Sequence, residues 1–236
     1  MIAHRGASLL AKENSMEALI KAAQMGSDAV ECDLRVTKDL QYILFHDGDL
    51  KRLAGLDRKV SDLTLEEMRH VLSMAGHTVA TLADLLSTYG ERVPILLHSK
   101  LERLTDTLLE LLLSSPVKFI LGVTNVRDVA LCRRYLPKEQ ILAFMPKKED
   151  AASFVEAGAG ILRLWENWLS EIGMQDVKKA FDAEVWIMSN HPVHGMNGSR
   201  ASLDFLAAQG ADGVLLNDIA LGLAWRKERT TCSRND

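Results

Sequence analysis

Short apolar runs that alternate with amphipathic stretches along the whole chain constrain its fold more than any other feature. Nine runs have the length and composition of buried strands, and most are followed by apolar residues at helical spacing. The nine runs cover residues 1–4, 28–36, 42–45, 93–97, 118–122, 141–144, 160–164, 184–188 and 213–216. Repeated strand–helix units predict a parallel sheet, because parallel neighbours need a long crossover between them.

One of the nine runs, residues 42–45, lies too close to the preceding run to be a parallel strand. The intervening sequence TKDLQ cannot hold a helical crossover, so this run is predicted to fold back as a hairpin arm. Eight remaining strands in 236 residues predict one closed (β/α)8 TIM barrel over residues 1–225. An open doubly wound sheet is the alternative, but no glycine-rich dinucleotide fingerprint follows a strand.

Two segments stand apart from the barrel pattern. Residues 47–79 are predicted to form a small insertion after the second barrel strand. Within it, SDLTLEEM has the pattern of a short helix capped by Ser61 or Thr64, with acids in its first turn. The last eleven residues, RKERTTCSRND, are polar and have no apolar period, which predicts a loose polar tail over residues 226–236.

Charge and cysteine content narrow the classes of partner and compartment. A formal charge of −4 implies no strongly basic face, which argues against nucleic acid as a partner. No run approaches the roughly 18 apolar residues of a membrane span, and early charges give no signal-peptide pattern. The three cysteines are far apart and fit a reducing compartment. We therefore expect a cytoplasmic protein without an integral membrane segment.

Two carboxylates lie in the second predicted strand, DAVECDLRV. Glu31 and Asp33 are two residues apart, so both face one way and Cys32 faces the other. Two carboxylates inside a barrel repel each other unless a cation or a proton lies between them. Oxygen ligands indicate a hard divalent ion such as Mg²⁺ or Ca²⁺. Pairing with arginines such as Arg5 or Arg35 is the alternative.

Basic side chains end three of the other runs. AHRG ends the first strand with His4 and Arg5, LFHD places His46 at the end of the hairpin arm, and PILLHSK ends the third barrel strand with His98 and Lys100. Each histidine alone has a structural interpretation, but active sites of (β/α)8 barrels lie at these strand ends. Cations beside a pair of metal-binding carboxylates suit a phosphate that gains negative charge during the reaction. Two histidines can supply an acid and a base near neutral pH.

The first 55 residues resemble the signature of the glycerophosphodiester phosphodiesterase family. The similarity comprises HRG with a following EN, GSDAVECD, T-x-D and HDGDLKR, and continues more weakly in VPILLHSK, AEVWIMSN and GADGVLLND. The resemblance implies a (β/α)8 barrel with a small insertion that hydrolyses glycerophosphodiesters to an alcohol and glycerol 3-phosphate, with a divalent metal. The roles it implies are His4 and His46 as acid and base, Arg5 and Lys100 as phosphate-binding residues, and Glu31 and Asp33 as metal ligands.

Position 98 departs from this family pattern, because His98 stands where the family has its third carboxylate ligand. His98 has three interpretations: a nitrogen ligand that shifts the preference toward Mn²⁺ or Zn²⁺, a non-ligand beside a weakened metal site, or a sign of lost catalysis. One alternative for the function is therefore a catalytically impaired phosphate-binding homologue. A second is a lysophospholipase D-like enzyme on the same scaffold, because the resemblance implies that such relatives share the two histidines and the acidic metal site.

Aromatic and basic residues near the later strands carry weaker signals. Trp165 and Trp168 follow the sixth barrel strand and either wall the substrate mouth or pack in the core. His191 and His194 lie on a predicted loop after the seventh strand, where a substrate contact or simple exposure is the expected role.

Overall fold

Eight parallel strands close into a barrel in the computed structural model, which describes residues 1–189 and 198–232. The strands, numbered in chain order, are β1 (Ile2–Ala3), β2 (Ala29–Val36), β3 (Tyr42–Leu44), β4 (Asp49–Leu50), β5 (Leu56–Lys59), β6 (Ile95–Ser99), β7 (Phe119–Val123), β8 (Ile141–Ala143), β9 (Ile161–Trp165), β10 (Glu184–Met188) and β11 (Gly213–Leu216). Around the barrel the order is β1, β2, β6, β7, β8, β9, β10 and β11, and β11 pairs with β1 to close it. The predicted (β/α)8 barrel is confirmed.

The helices are mostly short, and several begin at side-chain caps. They are α1 (Met16–Met25), α2 (Lys51–Ala54), α3 (Leu65–Met74), α4 (Leu82–Thr88), α5 (Asp106–Leu113), α6 (Val126–Cys132), α7 (Ala151–Glu156), α8 (Met174–Ala180), α9 (Arg200–Ala208) and α10 (Ile219–Cys232). Ser15, Thr105, Asn125 and Ser199 each accept a backbone N–H in the first turn, which satisfies a donor that the helix leaves unpaired. Within the described ranges, no helix combines the length and the apolar character needed to cross a membrane.

The segment between β2 and β6 forms a hairpin arm and then a small satellite. β3 pairs antiparallel with β2, with Leu44 opposite Leu34, as the short TKDLQ connection requires. Residues 47–79 contain β4, β5, α2 and α3 and share an apolar cluster with β3. Thr64 caps α3 in a capping box with Glu67, whereas Ser61 lies within a 3₁₀ turn.

The C-terminal segment differs from the expected loose tail. α10 continues to Cys232, so residues 226–232 are helical, and residues 233–236 lie outside the described part of the chain. The helix is held by Arg226, which donates to Asp28 and to the carbonyl of Gly26, and by Arg229, which contacts Asp204. Polar anchors of this kind produce no apolar period, which is why the sequence pattern did not indicate a helix.

Strand alternation fills the barrel interior with two kinds of layer. A lower layer is apolar and includes Ala29, Leu96, Leu142, Ile161 and Trp186. Residues two or four positions further along β2, β6 and β9 have the same parity and therefore face the same interior nearer the strand ends. Those inward positions are occupied by Glu31, Asp33, His98 and Arg163. The barrel thus carries a buried charged layer directly above an apolar one.

Candidate active site

A cavity of about 710 Å³ opens at the carboxyl ends of the barrel strands. Its lining includes most of the predicted site residues, on the side of β1, β2, β3 and β6. These are His4, Arg5, Asp33, His46, His98 and Lys100. The opposite side is formed by Phe144, Arg163, Trp165 and Met188. Glu31 lies next to Asp33 on β2, so the fold brings all seven predicted residues together.

Glu31 and Asp33 are fixed by backbone and amide donors. The backbone N–H of Arg5 donates to Glu31 Oε2 at 2.8 Å. Arg5 has a positive φ in this conformation. Asn14 holds Asp33 twice, because its Nδ2 donates to Asp33 Oδ2 and its Oδ1 accepts from the Asp33 N–H, both at 3.0 Å. Both carboxylates are therefore buried in one fixed orientation.

The two neighbouring carboxyl groups differ in how readily they ionise. Burial, together with the charge of Asp33, raises the pKa of Glu31 well above its usual value. Burial would also raise the pKa of Asp33, but the neighbouring His98 and Lys100 hold it well below its usual value. A cation between the two carboxyl groups would offset their repulsion and favour the ionised form of Glu31.

The geometry of three donors fits a divalent metal. One ligand atom from each of Glu31, Asp33 and His98 lies within 4.8 Å of the others. Asp33 Oδ1 is buried with no hydrogen-bond partner, which is costly unless another group satisfies it. Two carboxylates and one imidazole are accepted ligands of divalent ions of the first transition row. The donor set therefore supports a metal site at this position.

His98 is packed as a flat ring in the wall of the cavity. Its ring stacks on Phe144 with centroids 3.5 Å apart and an interplanar angle of 9°. Its Nδ1 lies 3.3 Å from Asp33 Oδ1 and 3.8 Å from Glu31 Oε1. Burial lowers the pKa of His98 to about 3, so the ring is neutral at pH 7. A neutral imidazole beside two carboxylates can serve as a nitrogen ligand.

Gly122 makes this stacking possible. It lies opposite His98 on β7, and a Cβ at this position would come within 2.3 Å of Phe144 Cε2. We therefore expect Gly122→Ala to push Phe144 away from His98 and to lower the free energy of unfolding by about 1–3 kcal/mol. Thermal melts of Gly122→Ala and of Gly48→Ala, whose new methyl group meets nothing closer than 3.9 Å, test this. Equal melting temperatures for the two variants would contradict it.

His46 is oriented by a chain of charged groups that reaches the insertion. Its Nδ1 lies 2.7 Å from Asp47 Oδ1, and because a carboxylate only accepts, Nδ1 donates. Asp47 Oδ2 in turn accepts from Arg52 Nε of α2 at 2.6 Å. Arg52 also donates to Glu13, which accepts from Arg5 as well. This arrangement fixes the tautomer of His46 and leaves Nε2 for chemistry.

His4 is oriented from the last barrel strand. Its Nδ1 lies 2.7 Å from Asn217 Oδ1, and its Nε2 lies 3.9 Å from Glu31 Oε2. Burial, and next the charge of Arg5, lower the pKa of His4 to about 4. The pKa of His46 is also lowered, chiefly by burial. Both rings are thus neutral at pH 7, and an anionic ligand in the cavity would favour protonation.

Arg5 and Lys100 place two positive charges on either side of Asp33. Arg5 Nε lies 3.6 Å from Asp33 Oδ2, and Lys100 Nζ lies 3.5 Å from Asp33 Oδ1. Both side chains line the cavity. Burial lowers the pKa of Lys100. An anion in the cavity would therefore meet two cations that are already held in place.

Sequence reasoning assigned no role to four residues that shape this site. Asn14, Asp47 and Asn217 orient site residues, and they belong to the EN, HD and ND pairs of the motifs quoted above. Arg163 was missed altogether, although a single arginine at an inward position of the apolar strand ILRLW was a usable signal. Trp165 lines the cavity and Trp168 packs beside Arg163. Predicted His191 and His194 lie outside the described residues.

Comparison with known proteins agrees with the motifs and the barrel. Residues 4–112 match the model of the Glycerophosphoryl diester phosphodiesterase family. A glycerophosphodiester phosphodiesterase of Caldanaerobacter subterraneus subsp. tengcongensis is 31% identical over 99 residues, which are 39% of this chain and 41% of that relative. A lysophospholipase D of Rattus norvegicus is 42% identical over 67 residues, 28% of this chain and 21% of that relative.

Solved structures extend the comparison to the whole barrel. The glycerophosphodiester phosphodiesterase of Thermotoga maritima has a TM-score of 0.77 to this chain, covering 94% of it and 96% of that structure at 22% identity. That similarity shows the fold. The sequence matches span 44%, 63% and 41% of the length of three curated relatives, which is less than two thirds of each. The resemblance to the glycerophosphodiester phosphodiesterase family is confirmed.

Proposed function

From this family resemblance we propose that the chain is a phosphodiesterase that hydrolyses a glycerophosphodiester to an alcohol and glycerol 3-phosphate. The observation that carries the proposal is the convergence of histidines, acids and cations on one cavity. Each predicted role needs its group within reach of one phosphate, and the fact that most of these residues line one cavity supports the proposal. The cytoplasmic location expected from the cysteines stays a prediction.

Arg5 and Lys100 are the phosphate-binding residues in this proposal. Their charges would stabilise the extra negative charge that develops on the phosphate in the transition state. Asp33, 3.5–3.6 Å from both, holds them in position before the substrate arrives. The two side chains would then not have to rearrange during the reaction.

Glu31, Asp33 and His98 would hold a divalent metal. When bound, the ion would supply Lewis-acid polarisation of a phosphate oxygen. The mixed nitrogen and oxygen donor set favours Mn²⁺ or Zn²⁺, and Mg²⁺ or Ca²⁺ are the alternatives that two carboxylates also permit.

His4 and His46 supply the proton transfers. One ring would accept the proton of the nucleophile, either water or the neighbouring glycerol hydroxyl. The other would donate a proton to the oxygen of the departing alcohol. Attack by water gives glycerol 3-phosphate directly, whereas attack by the hydroxyl gives a cyclic phosphate that a water molecule must then open. Both rings are held through Nδ1, at Asn217 and at Asp47, so Nε2 is the reactive nitrogen of each.

A lysophospholipid substrate is the second candidate. The cavity has an apolar wall at Phe144, Met145, Trp165 and Met188, and Leu9 and Leu10 are exposed in the segment that follows β1. An apolar cavity wall of this kind could receive an acyl chain. One relative, from Rattus norvegicus, is named a lysophospholipase D.

The proposal predicts metal-dependent turnover of a soluble diester. We expect hydrolysis of glycerophosphoethanolamine with Mn²⁺, release of glycerol 3-phosphate, and a loss of at least about 10²-fold after treatment with EDTA. The assay is repeated with Zn²⁺, Mg²⁺ and Ca²⁺, and lysophosphatidylcholine tests the second candidate. Undiminished turnover in EDTA would contradict the metal role. Phosphate binding without turnover of either substrate would identify a catalytically impaired homologue.

A further inference from the structure

Arg163 is a buried cation on the wall of the cavity that lies across from the metal donors. It is on β9, which is four strands away from β2 in either direction around the barrel. Its position on the strand matches that of inward-facing Ile161, and its side chain lines the cavity. Only 5% of the residue is exposed. An arginine is almost never buried to this extent without a partner.

Among the described residues no acid pairs with Arg163. Its Nε and Nη1 are buried and have no hydrogen-bond partner. Glu166, the nearest acid along the chain, accepts instead from Ser189 and Ser202. Burial lowers the pKa of Arg163 to about 9, so it remains charged at pH 7. A fixed positive charge therefore faces the cavity without a balancing anion from its own wall.

Three aromatic rings surround this guanidinium. Its carbon lies 4.2 Å from the ring centre of Trp165, 5.2 Å from that of Phe144 and 5.8 Å from that of Trp168. Without an arginine between them, rings in this arrangement would suit a quaternary ammonium ligand. Here Arg163 occupies that place, so a second cation is repelled and an anion is attracted. The rings also restrict the side chain, which lowers the entropy lost when a ligand binds.

We propose that Arg163 binds a second anionic group, a carboxylate or a phosphate, carried by the alcohol part of the diester. This inference rests on the proposed function, because it assigns the reacting phosphate to Arg5 and Lys100 on the opposite wall. A substrate that spans the mouth then reaches Arg163 with its other end. The guanidinium suits carboxylate and phosphate oxygens, which it binds through charge-assisted hydrogen bonds.

Matched substrates test the inference. Glycerophosphoserine differs from glycerophosphoethanolamine by one carboxylate, glycerophosphoinositol 4-phosphate carries a phosphate, and glycerophosphocholine carries only a cation. We expect the wild-type kcat/KM to be highest for the two diesters with an added anion and lowest for glycerophosphocholine. Arg163→Met should lower kcat/KM for those two anionic diesters by about 10- to 100-fold and change that for glycerophosphoethanolamine by less than about threefold. Arg58→Met, at an exposed arginine of β5, is the matched control.

A structural role for Arg163 predicts different results. Because Arg163→Met removes an unpaired buried charge at similar volume, its melting temperature should be unchanged or higher. A lower melting temperature with an equal loss for all substrates would overturn the inference, as would a wild-type preference for glycerophosphocholine. Arg163→Lys, which keeps the charge, should retain part of the preference.

Failure of the proposed function gives a separate result. If wild-type protein turns over none of the four diesters with any metal, the proposed function fails. The same diesters are then titrated calorimetrically into wild-type protein and Arg163→Met. Tighter binding of glycerophosphoserine than of glycerophosphoethanolamine, lost in Arg163→Met, would still support the anion site. Equal binding of the two diesters by wild-type protein would overturn it.

Discussion

Replacing His46 or His4 by alanine is expected to lower kcat/KM for a glycerophosphodiester by about 10²- to 10⁴-fold. Each ring lines the cavity and is held through Nδ1. In the proposed mechanism the other nitrogen of each ring exchanges a proton with the substrate. Removing either ring keeps Arg5 and Lys100, the proposed phosphate-binding residues. We therefore expect KM to change much less than kcat.

Initial rates with glycerophosphoethanolamine, measured for wild type and both variants in the same metal, test this expectation. His70→Ala is the matched control, because His70 is an exposed histidine on α3 and should turn over like wild type. Melting temperatures of the variants separate lost chemistry from lost folding. Near wild-type turnover in both His4→Ala and His46→Ala would refute the proposed acid/base pair.

The barrel could be predicted from sequence because its evidence is repeated along the chain. All nine apolar runs form strands, and the five-residue TKDLQ connection is enough to predict that β3 is an antiparallel arm. The parity of Glu31 and Asp33 likewise placed both carboxylates on the inner face of β2. These conclusions depend only on the spacing of apolar and polar residues and on loop length, both of which can be read from the sequence.

Groups that act through distant partners were harder to predict. Asp47 orients His46 and is itself held by Arg52, so its role depends on how the insertion folds over the barrel. The role proposed for Arg163 depends on the absence of an acid partner among the described residues and on aromatic rings from two segments. α10 was missed because its anchors, Arg226 and Arg229, bind acids far away in the sequence.

Replacing His98 by glutamate is expected to change which metal the site prefers. A third carboxylate beside Glu31 and Asp33 would restore an all-oxygen donor set, which hard ions bind better than a mixed set. We expect the affinity for Mg²⁺ and Ca²⁺ to rise by on the order of 10-fold or more, and the advantage of Mn²⁺ or Zn²⁺ to fall. Without metal, a third like charge in a buried site should lower the melting temperature of this variant.

Metal titrations that follow both the melting temperature and the rate of diester hydrolysis test this prediction. His98→Gln is the matched control, because it removes the imidazole without adding a charge and should weaken Mn²⁺ binding without improving Ca²⁺ binding. Both variants lose the stacking of His98 on Phe144, so a difference between them reports the ligand and not the packing. If His98→Gln binds Mn²⁺ as wild type does and His98→Glu gains nothing with Mg²⁺ or Ca²⁺, His98 is not a ligand. The two carboxylates of β2 would then hold the ion alone.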